Sequence, residues 1–457
     1  MRLRPSLLAL ALALGLARPA SADDLLQAYA MARAADPVLA MADAQRGVQH
    51  ELALQARAAL LPQWQLDATE LRDQQDGTRQ RELASRVSQV LLDLGRLRTW
   101  EAERTLESAQ GLRLRAAEQA LCARVATAYF GVLSAQAALA TTQANEDAFA
   151  AQVAQASKRF EAGLSAQVDV DQARAYHALA RGATVQARQA LADAREALAQ
   201  ITGQPPGELQ PLAAELPALP PEPRDPQAWV DQALRGNPSL QAQARLVDAG
   251  EQRIGAARAA HWPTLSAGLD STRSGGAGIS DEQRRGGTQF ALRLTVPLFA
   301  GGATQSQLRQ AGFQRDIARD EFEAARRALV RETQAQYQAV VAGVALLEST
   351  RTAVAAADQA LASTRAGQGL GTRTMTDLLL AIQTQAAAQN AHDQARHGYV
   401  LARLLLQQAA GVLGQAELAA VNEWLLRAPR AGLTPSPPPV GVKELGSGPS
   451  YLEKKET

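Results

Sequence analysis

Five histidines, one cysteine and a few charged residues beside glycine turns are the groups in this chain whose types could carry chemistry. The histidines, His50, His177, His261, His392 and His397, are scattered, and the closest two stand five apart. That misses the i,i+4 spacing at which two imidazoles share a metal on one helix face, so they read as solvated or packing polar residues. Gly367, Gly369 and Gly371 form a GxGxG series with no strand before it, which suits a helix turn rather than a phosphate cradle. Cys122 sits mid-helix among apolar residues; a lone thiol excludes a disulfide framework and reads as a small buried hydrophobe. No nucleophile, base and orienting group can be assembled. The expectation is a protein with no catalytic, cofactor or metal site.

What remains is Arg373 and Asp377, just past Gly371. Taken alone they describe an exposed ion pair at a helix start, with the acid in the first turn where the helix dipole favours it. The element that positions them is the stretch Leu361 to Val412, which reads as the end of one long helix, a turn at Gly367, Gly369 and Gly371, and a second long helix running back. Along the second helix Ala381, Thr384, Ala388, Ala391, Ala395, Gly398, Ala402, Leu405, Ala409 and Val412 alternate at three and four residues, a heptad seam of small knobs that demands a close neighbour. The stretch Phe149 to Ala197 repeats the device around Gly163, with a seam through Tyr176, Ala180, Ala183, Ala187, Ala190, Ala194 and Ala197. Superposing Gly163 on Gly371 also superposes Asp169 on Asp377 and Tyr129 on Tyr337, since 371 − 163, 377 − 169 and 337 − 129 all equal 208. The chain is a tandem repeat.

The 457 residues are rich in Ala, Gln, Leu and Arg, and only 4% are aromatic. That suits long helices with narrow seams rather than one large core. The net charge of +1 gives no reason to expect nucleic acid. Residues 1–22 carry Arg2 and Arg4, an apolar run from Leu7 to Leu16 and an Ala-x-Ala site at Ala20 to Ala22, and read as a secretory signal peptide. Its removal with Arg18 leaves +1 − 3 = −2.

The first repeat is expected over 23–203. A helix starts at Asp36 and Pro37 and is closed by Pro62; the second repeat, 230–426, copies this at Asn237 and Pro238 and at Pro263, 201 residues on in each case. After each closing proline the period changes to two, predicting strands over about 63–71 and 83–92, then 264–272 and 289–298, each with one apolar and one polar face. Helical hairpins follow over about 96–201 and 303–412. The Pro-rich segment 204–229 crosses between the repeats, and 427–457 is a Pro- and Gly-rich tail expected to be disordered.

Two hairpins give four strands per chain. In lipid they would leave unpaired edges costing several kcal/mol per orphaned group, so other copies must close the sheet, with eight, twelve or sixteen strands for a dimer, trimer or tetramer. About 67 residues of unbroken helix make a rod of roughly 100 Å, long enough to span a compartment. A periplasmic coiled-coil adaptor or scaffold is the alternative class; it would typically carry one hairpin between soluble β-domains, whereas this chain has two, each preceded by amphipathic strands.

These residues carry a family resemblance. Ala126 to Leu133 (ATAYFGVL), Arg159 to Val170 (RFEAGLSAQVDV), Ile201 to Gly203, Asn237 to Leu240 (NPSL), Val296 to Gly302 (VPLFAGG) and Gly369 to Thr374 (GLGTRT) resemble the TolC-type outer-membrane channels of efflux pumps and type I secretion systems. The resemblance implies a homotrimer with a 12-stranded barrel in the outer-membrane lipid of a Gram-negative bacterium. It further implies a 12-helix periplasmic tunnel and an equatorial belt built from 204–229 and the C-terminal segment. The implied function is a passive export duct, and the implied partners are a periplasmic adaptor and an inner-membrane ABC or proton-driven transporter. The helix-turn tips at Gly163 and Gly371 would form the periplasmic gate. By the same resemblance, Asp377 matches the first of two aspartates ringing the constriction, and Leu380 stands at the second. Arg373 matches an arginine that ties the inner coil to a neighbour, and Asp169 an acceptor for such ties. Gln368 takes the place of a latch tyrosine, and Val168 that of a hydroxyl acceptor.

Overall fold

The computed structural model describes residues 23–73, 77, 79–277 and 286–426. The expected leader over 1–22 and tail over 427–457 lie outside the described residues, as do parts of both hairpin turns. In chain order the elements are α1 (Leu25–Ala35), α2 (Pro37–Ala58), β1 (Gln63–Arg72), β2 (Arg79–Leu92), α3 (Leu94–Glu161) and α4 (Gln167–Thr202). Then follow α5 (Pro226–Gly236), α6 (Pro238–Ala259), β3 (Thr264–Ala277), β4 (Gly286–Thr295), α7 (Ala303–Gly369), α8 (Met375–Ala409) and α9 (Gln415–Asn422). The second set repeats the order of the first: short helix, helix, β-hairpin, very long helix, long helix.

Local chemistry sets the helix starts. Asp36 accepts a hydrogen bond from the Leu39 amide at 2.9 Å while Pro37 occupies the first helical position; Asn237 caps Ser239 and Leu240 in the same way ahead of Pro238. Side-chain oxygens there satisfy amides that have no partner inside the helix, and proline lacks only an orphan hydrogen. At 1.5 Å per residue α3 and α7 are about 100 Å long. Helix α2 packs on the sheet-side part of α3, and α4 returns along the rest of it; α8 returns along α7 in the same manner.

The strands form one antiparallel sheet in the order β1-β2-β3-β4. The two repeats are joined across β2 and β3, where Val87 faces Leu269 and Leu83 faces Arg273. Register puts Trp64, Val87, Leu269 and Phe290 in one cross-strand row, with Leu66, Leu83, Leu265, Leu292 and Leu294 on the same face. Gln65, Arg86, Asp270 and Gln289 make the matching row on the other face. The apolar face is open: Trp64 is 76% and Phe290 70% exposed. Strand β2 begins at Arg79, four residues before the alternation becomes readable, and slips register between Val90 and Leu92.

Three readings of the sequence need correction. Helix α7 runs through Gly367 to Gly369, so of the three glycines only Gly371, at φ 78°, makes the turn. The seam of α4 runs through Ala173, Ala180, Thr184, Leu191 and Leu198, leaving Ala190 and Ala197 exposed. The larger side chains bury more apolar area, and they set the rotation of a helix that carries alanine on several faces. The α8 seam divides: Ala395, Ala402 and Ala409 are buried, whereas Thr384, Ala391 and Gly398 lie on the open side. Gly343 of α7 lets Tyr399 approach, since a Cβ there would fall 3.3 Å from its Cδ2.

Two apolar clusters hold the helices. One gathers α1, the middle of α3, the end of α8 and α9 around Leu25, Tyr129, Phe130, Tyr399 and Leu418. The segment after α4 is laced to it: the Tyr129 hydroxyl lies 2.9 Å from the Gln210 carbonyl, and Arg396 donates to the Leu212 and Ala213 carbonyls. The repeat-related Tyr337 hydroxyl donates to Arg224 at 2.8 Å. The second cluster, Phe149, Val170, Leu378, Leu379 and Ile382, lies toward the hairpin tips.

Candidate functional site at the hairpin tips

Each helical hairpin reverses at a glycine with positive φ, Gly163 at 72° and Gly371 at 78°, a conformation only glycine adopts without strain. The turns close by the same bond pattern: Leu164 N–H donates to Arg159 O at 2.8 Å, and Thr372 N–H to Gly367 O at 2.9 Å.

Beyond Gly371, Thr374 and Asp377 cap α8 reciprocally. The Asp377 amide donates to Thr374 Oγ1 at 3.1 Å, and the Thr374 amide donates to Asp377 Oδ2 at 3.0 Å. The Thr374 amide, and then its side chain, hold the Asp377 carboxyl below the ordinary 3.8; desolvation opposes them, and Arg373 adds a lesser attraction. The exposed Arg373 forms no ion pair with Asp377 or Asp169 within the chain among the described residues. Its stem lies over Gly367, where a Cβ would fall 2.8 Å from Arg373 Cγ. Gln368 is buried in the last turn of α7. Asp169 sits in the first turn of α4, half-buried.

The tips therefore assemble Arg373, Asp377 and Gln368 at one turn and Asp169 at the other. The bond that joins the two turns involves residues the sequence reading passed over: Thr376 Oγ1 donates to Gln172 Oε1 at 2.8 Å. Each is a neighbour of a singled-out acid, one before Asp377 and three after Asp169, and that adjacency was the available signal. Leu380, one turn past Asp377, is exposed.

A second polar constellation lies on the polar face of the sheet, where Arg86 Nε and Asp270 Oδ1 are 2.6 Å apart across the junction of the repeats. A third is internal: Arg124 grips the Asp36 carboxylate at 2.6 and 3.1 Å, tying α3 to the start of α2. Sequence spacing held no signal for a pair 88 residues apart.

The described residues hold no cluster of side chains suited to a metal ion. Over residues 28–204 and 229–412 the sequence matches the family described as Outer membrane efflux protein. The chain belongs to the outer membrane efflux protein family. It is 32% identical over 442 residues to the outer membrane protein TolC of Escherichia coli K12, covering 93% of this chain and 89% of the relative. It is 28% identical over 415 residues to the alkaline protease secretion protein AprF of Pseudomonas aeruginosa, covering 86% and 85%. Its fold is similar to that of the Campylobacter jejuni CmeC outer membrane channel, with a TM-score of 0.76 at 15% identity over 88% of this chain and 89% of that one. Family membership makes this an outer-membrane protein.

Proposed function

We propose that three copies of the chain form one continuous export duct, a barrel in the outer membrane followed by a helical tunnel into the periplasm. The observation that carries this reading is the sheet: four strands with an open apolar face and two outer edges, β1 and β4, that have no partner within the chain among the described residues. Such edges cannot stand in lipid. Eight strands would make a barrel filled by its own side chains, leaving no path past Arg86, Asp270 and Arg293. Three copies, 3 × 4 = 12 strands, are the smallest closed set that leaves a passage. The exposed half of the α8 seam, Thr384, Ala391 and Gly398, suits close contact with a neighbouring copy.

In this reading the tips at Gly163 and Gly371 meet around the axis and narrow the duct. Three Asp377 carboxylates at close quarters favour cations, and with Leu380 in place of a second acid there is one such ring. Arg373 reaches Asp169 of a neighbouring copy, holding the closed state, and Gln368 fills the turn beneath it. A periplasmic adaptor and an inner-membrane transporter dock below and choose the cargo. AprF is named for protease secretion and the family for efflux, so protein and small molecules are both within reach of the same passive duct.

Membrane fractionation with native mass spectrometry tests the assembly. A heat-modifiable, detergent-resistant trimer in the outer-membrane fraction is expected. A soluble periplasmic monomer would mean that the chain is a coiled-coil adaptor or scaffold instead.

A further inference from the structure

The helices leave the sheet from the ends of β2 and β4 and enter it at the starts of β1 and β3, so the ends of β1 and β3 and the starts of β2 and β4 lie at the opposite, outward end. On the apolar face the composition changes sharply toward that end. Arg72 is opposite Arg79, Glu70 opposite Arg81, Arg81 opposite Gly275, and Leu83 opposite Arg273. All of these share the face of Trp64, Leu269 and Phe290. Four arginines thus stand against one glutamate, a net +3 where the membrane face meets the outer headgroups.

Glu70 is already occupied, with Arg72, Arg79 and Arg81 at 2.6, 2.9 and 3.1 Å. Arg273 has no carboxylate partner among the described residues. Arginines placed directly opposite one another repel, and on a lipid-facing surface an anionic lipid headgroup is suited to neutralise them. The surface is also dented here. A concavity of about 630 Å³ is lined by residues that include Ala68, Glu70, Arg81, Glu82, Leu83, Arg273 and Gly275; by strand alternation Glu82 belongs to the opposite face, paired with Thr69. Gly275 supplies the space, because a Cβ at that position would meet nothing within 4 Å. The concavity spans β1 to β3 and so stays open when copies join through β1 and β4.

We propose that this concavity binds a phosphorylated glycolipid of the outer leaflet, with a headgroup phosphate between Arg81 and Arg273 and the first acyl carbons against Ala68 and Leu83. Guanidinium forks match phosphate oxygens in geometry as well as charge, and basic pockets at membrane depth are the ordinary means of holding a lipid headgroup. The inference rests on the reading of this face as lipid-facing.

The test titrates the purified full-length oligomer in detergent with bisphosphorylated lipid A, with the same lipid stripped of phosphate, and with phosphatidylglycerol, counting bound lipid by native mass spectrometry. We expect up to one lipid A per chain and at least about tenfold weaker binding of the other two lipids. A similar loss is expected for the double variant Arg81→Gln, Arg273→Gln. Gly275→Leu fills the dent without altering charge and should give the same loss; it keeps the test open if the double variant fails to assemble. Equal binding by wild type and Gly275→Leu, or equal binding of the phosphate-free lipid, would overturn the site. Phosphatidylglycerol binding as tightly as lipid A would overturn the choice of glycolipid. An oligomer that conducts ions yet holds no lipid sinks this inference alone, whereas a soluble monomer sinks the duct as well.

Discussion

Thr376 Oγ1 donates a 2.8 Å hydrogen bond to Gln172 Oε1, linking the first turn of α8 to the second turn of α4 and so one repeat to the other at the hairpin tips. If the tips form the closed end of the duct, this bond helps to keep α8 from moving outward against α4. A single exposed hydrogen bond is worth about 0.5–1.5 kcal/mol. Thr376→Val is therefore expected to leave the oligomer intact and raise the closed-state single-channel conductance measurably. An unchanged conductance would mean that α8 is not held at this point.

Asp377 is expected to set ion preference. Asp377→Ala should abolish a preference for cations in planar-bilayer recordings, while Leu380→Asp, which adds a second acidic ring, should strengthen it and introduce block by polyvalent cations. The pH dependence follows from the depressed folded value of Asp377. A carboxyl held below 3.8 keeps its charge, and its contribution to the helix cap, above the unfolded value, and loses both as pH falls through the lower folded one. In a closed ring the neighbouring carboxylates oppose the charged form that the cap favours, so cation preference should fade as the ring is protonated in acid, and recordings across a pH series locate the loss. Unchanged selectivity in Asp377→Ala would remove this residue from the filter.

Inside the fold, the Asp36 carboxylate is 2% exposed and paired with Arg124. Burial pushes this carboxyl up, but the Arg124 guanidinium and the Leu39 and Val38 amides together outweigh burial and hold it below 3.8. Arg124→Ala leaves that charge with its amide bonds alone, and removing one partner of a buried pair costs about 3–5 kcal/mol. Thermal or denaturant unfolding at neutral pH should show the loss. Because the folded value is depressed, the stabilisation is present above the unfolded value and disappears as pH falls through the folded one, so wild type and variant should converge in strong acid. A gap that persists there would assign the effect to packing.

Adjacent residues on β4 separate the two faces of the sheet. Phe290→Arg places a charge toward lipid, where it costs about 2–4 kcal/mol near the midplane; Gln289→Arg places the same charge on the polar face. The first should sharply reduce heat-modifiable oligomer in the outer membrane and the second should not. Equal yields would mean that the apolar face does not meet lipid.

Much of this architecture is written in local chemistry. Asx-Pro pairs start α2 and α6, Gly163 and Gly371 turn the hairpins, and period-two runs such as Phe290 to Leu294 mark strands, because each depends on residues a few positions apart. The start of β2 was hidden because Arg79, Gln80 and Arg81 belong to the polar outer rim, where the apolar alternation stops. Gly367 and Gly369 were misplaced because glycine is tolerated inside a helix, and nothing local separates a packing glycine beneath Arg373 from a turning one. The α4 seam was ambiguous because alanine satisfies several helix faces at once. Asp36 with Arg124 and Thr376 with Gln172 were out of reach for a different reason: their spacing is set by how helices pack, which no periodicity encodes.

In the proposed duct several chains close the open apolar sheet, whose outer edges have no partner within the chain among the described residues, around an aqueous path. Planar-bilayer recording of the purified full-length protein tests it most directly. Discrete, uniform conductance steps from material of trimer mass are expected. Protein that stays monomeric and carries no current when incorporated in lipid would contradict it.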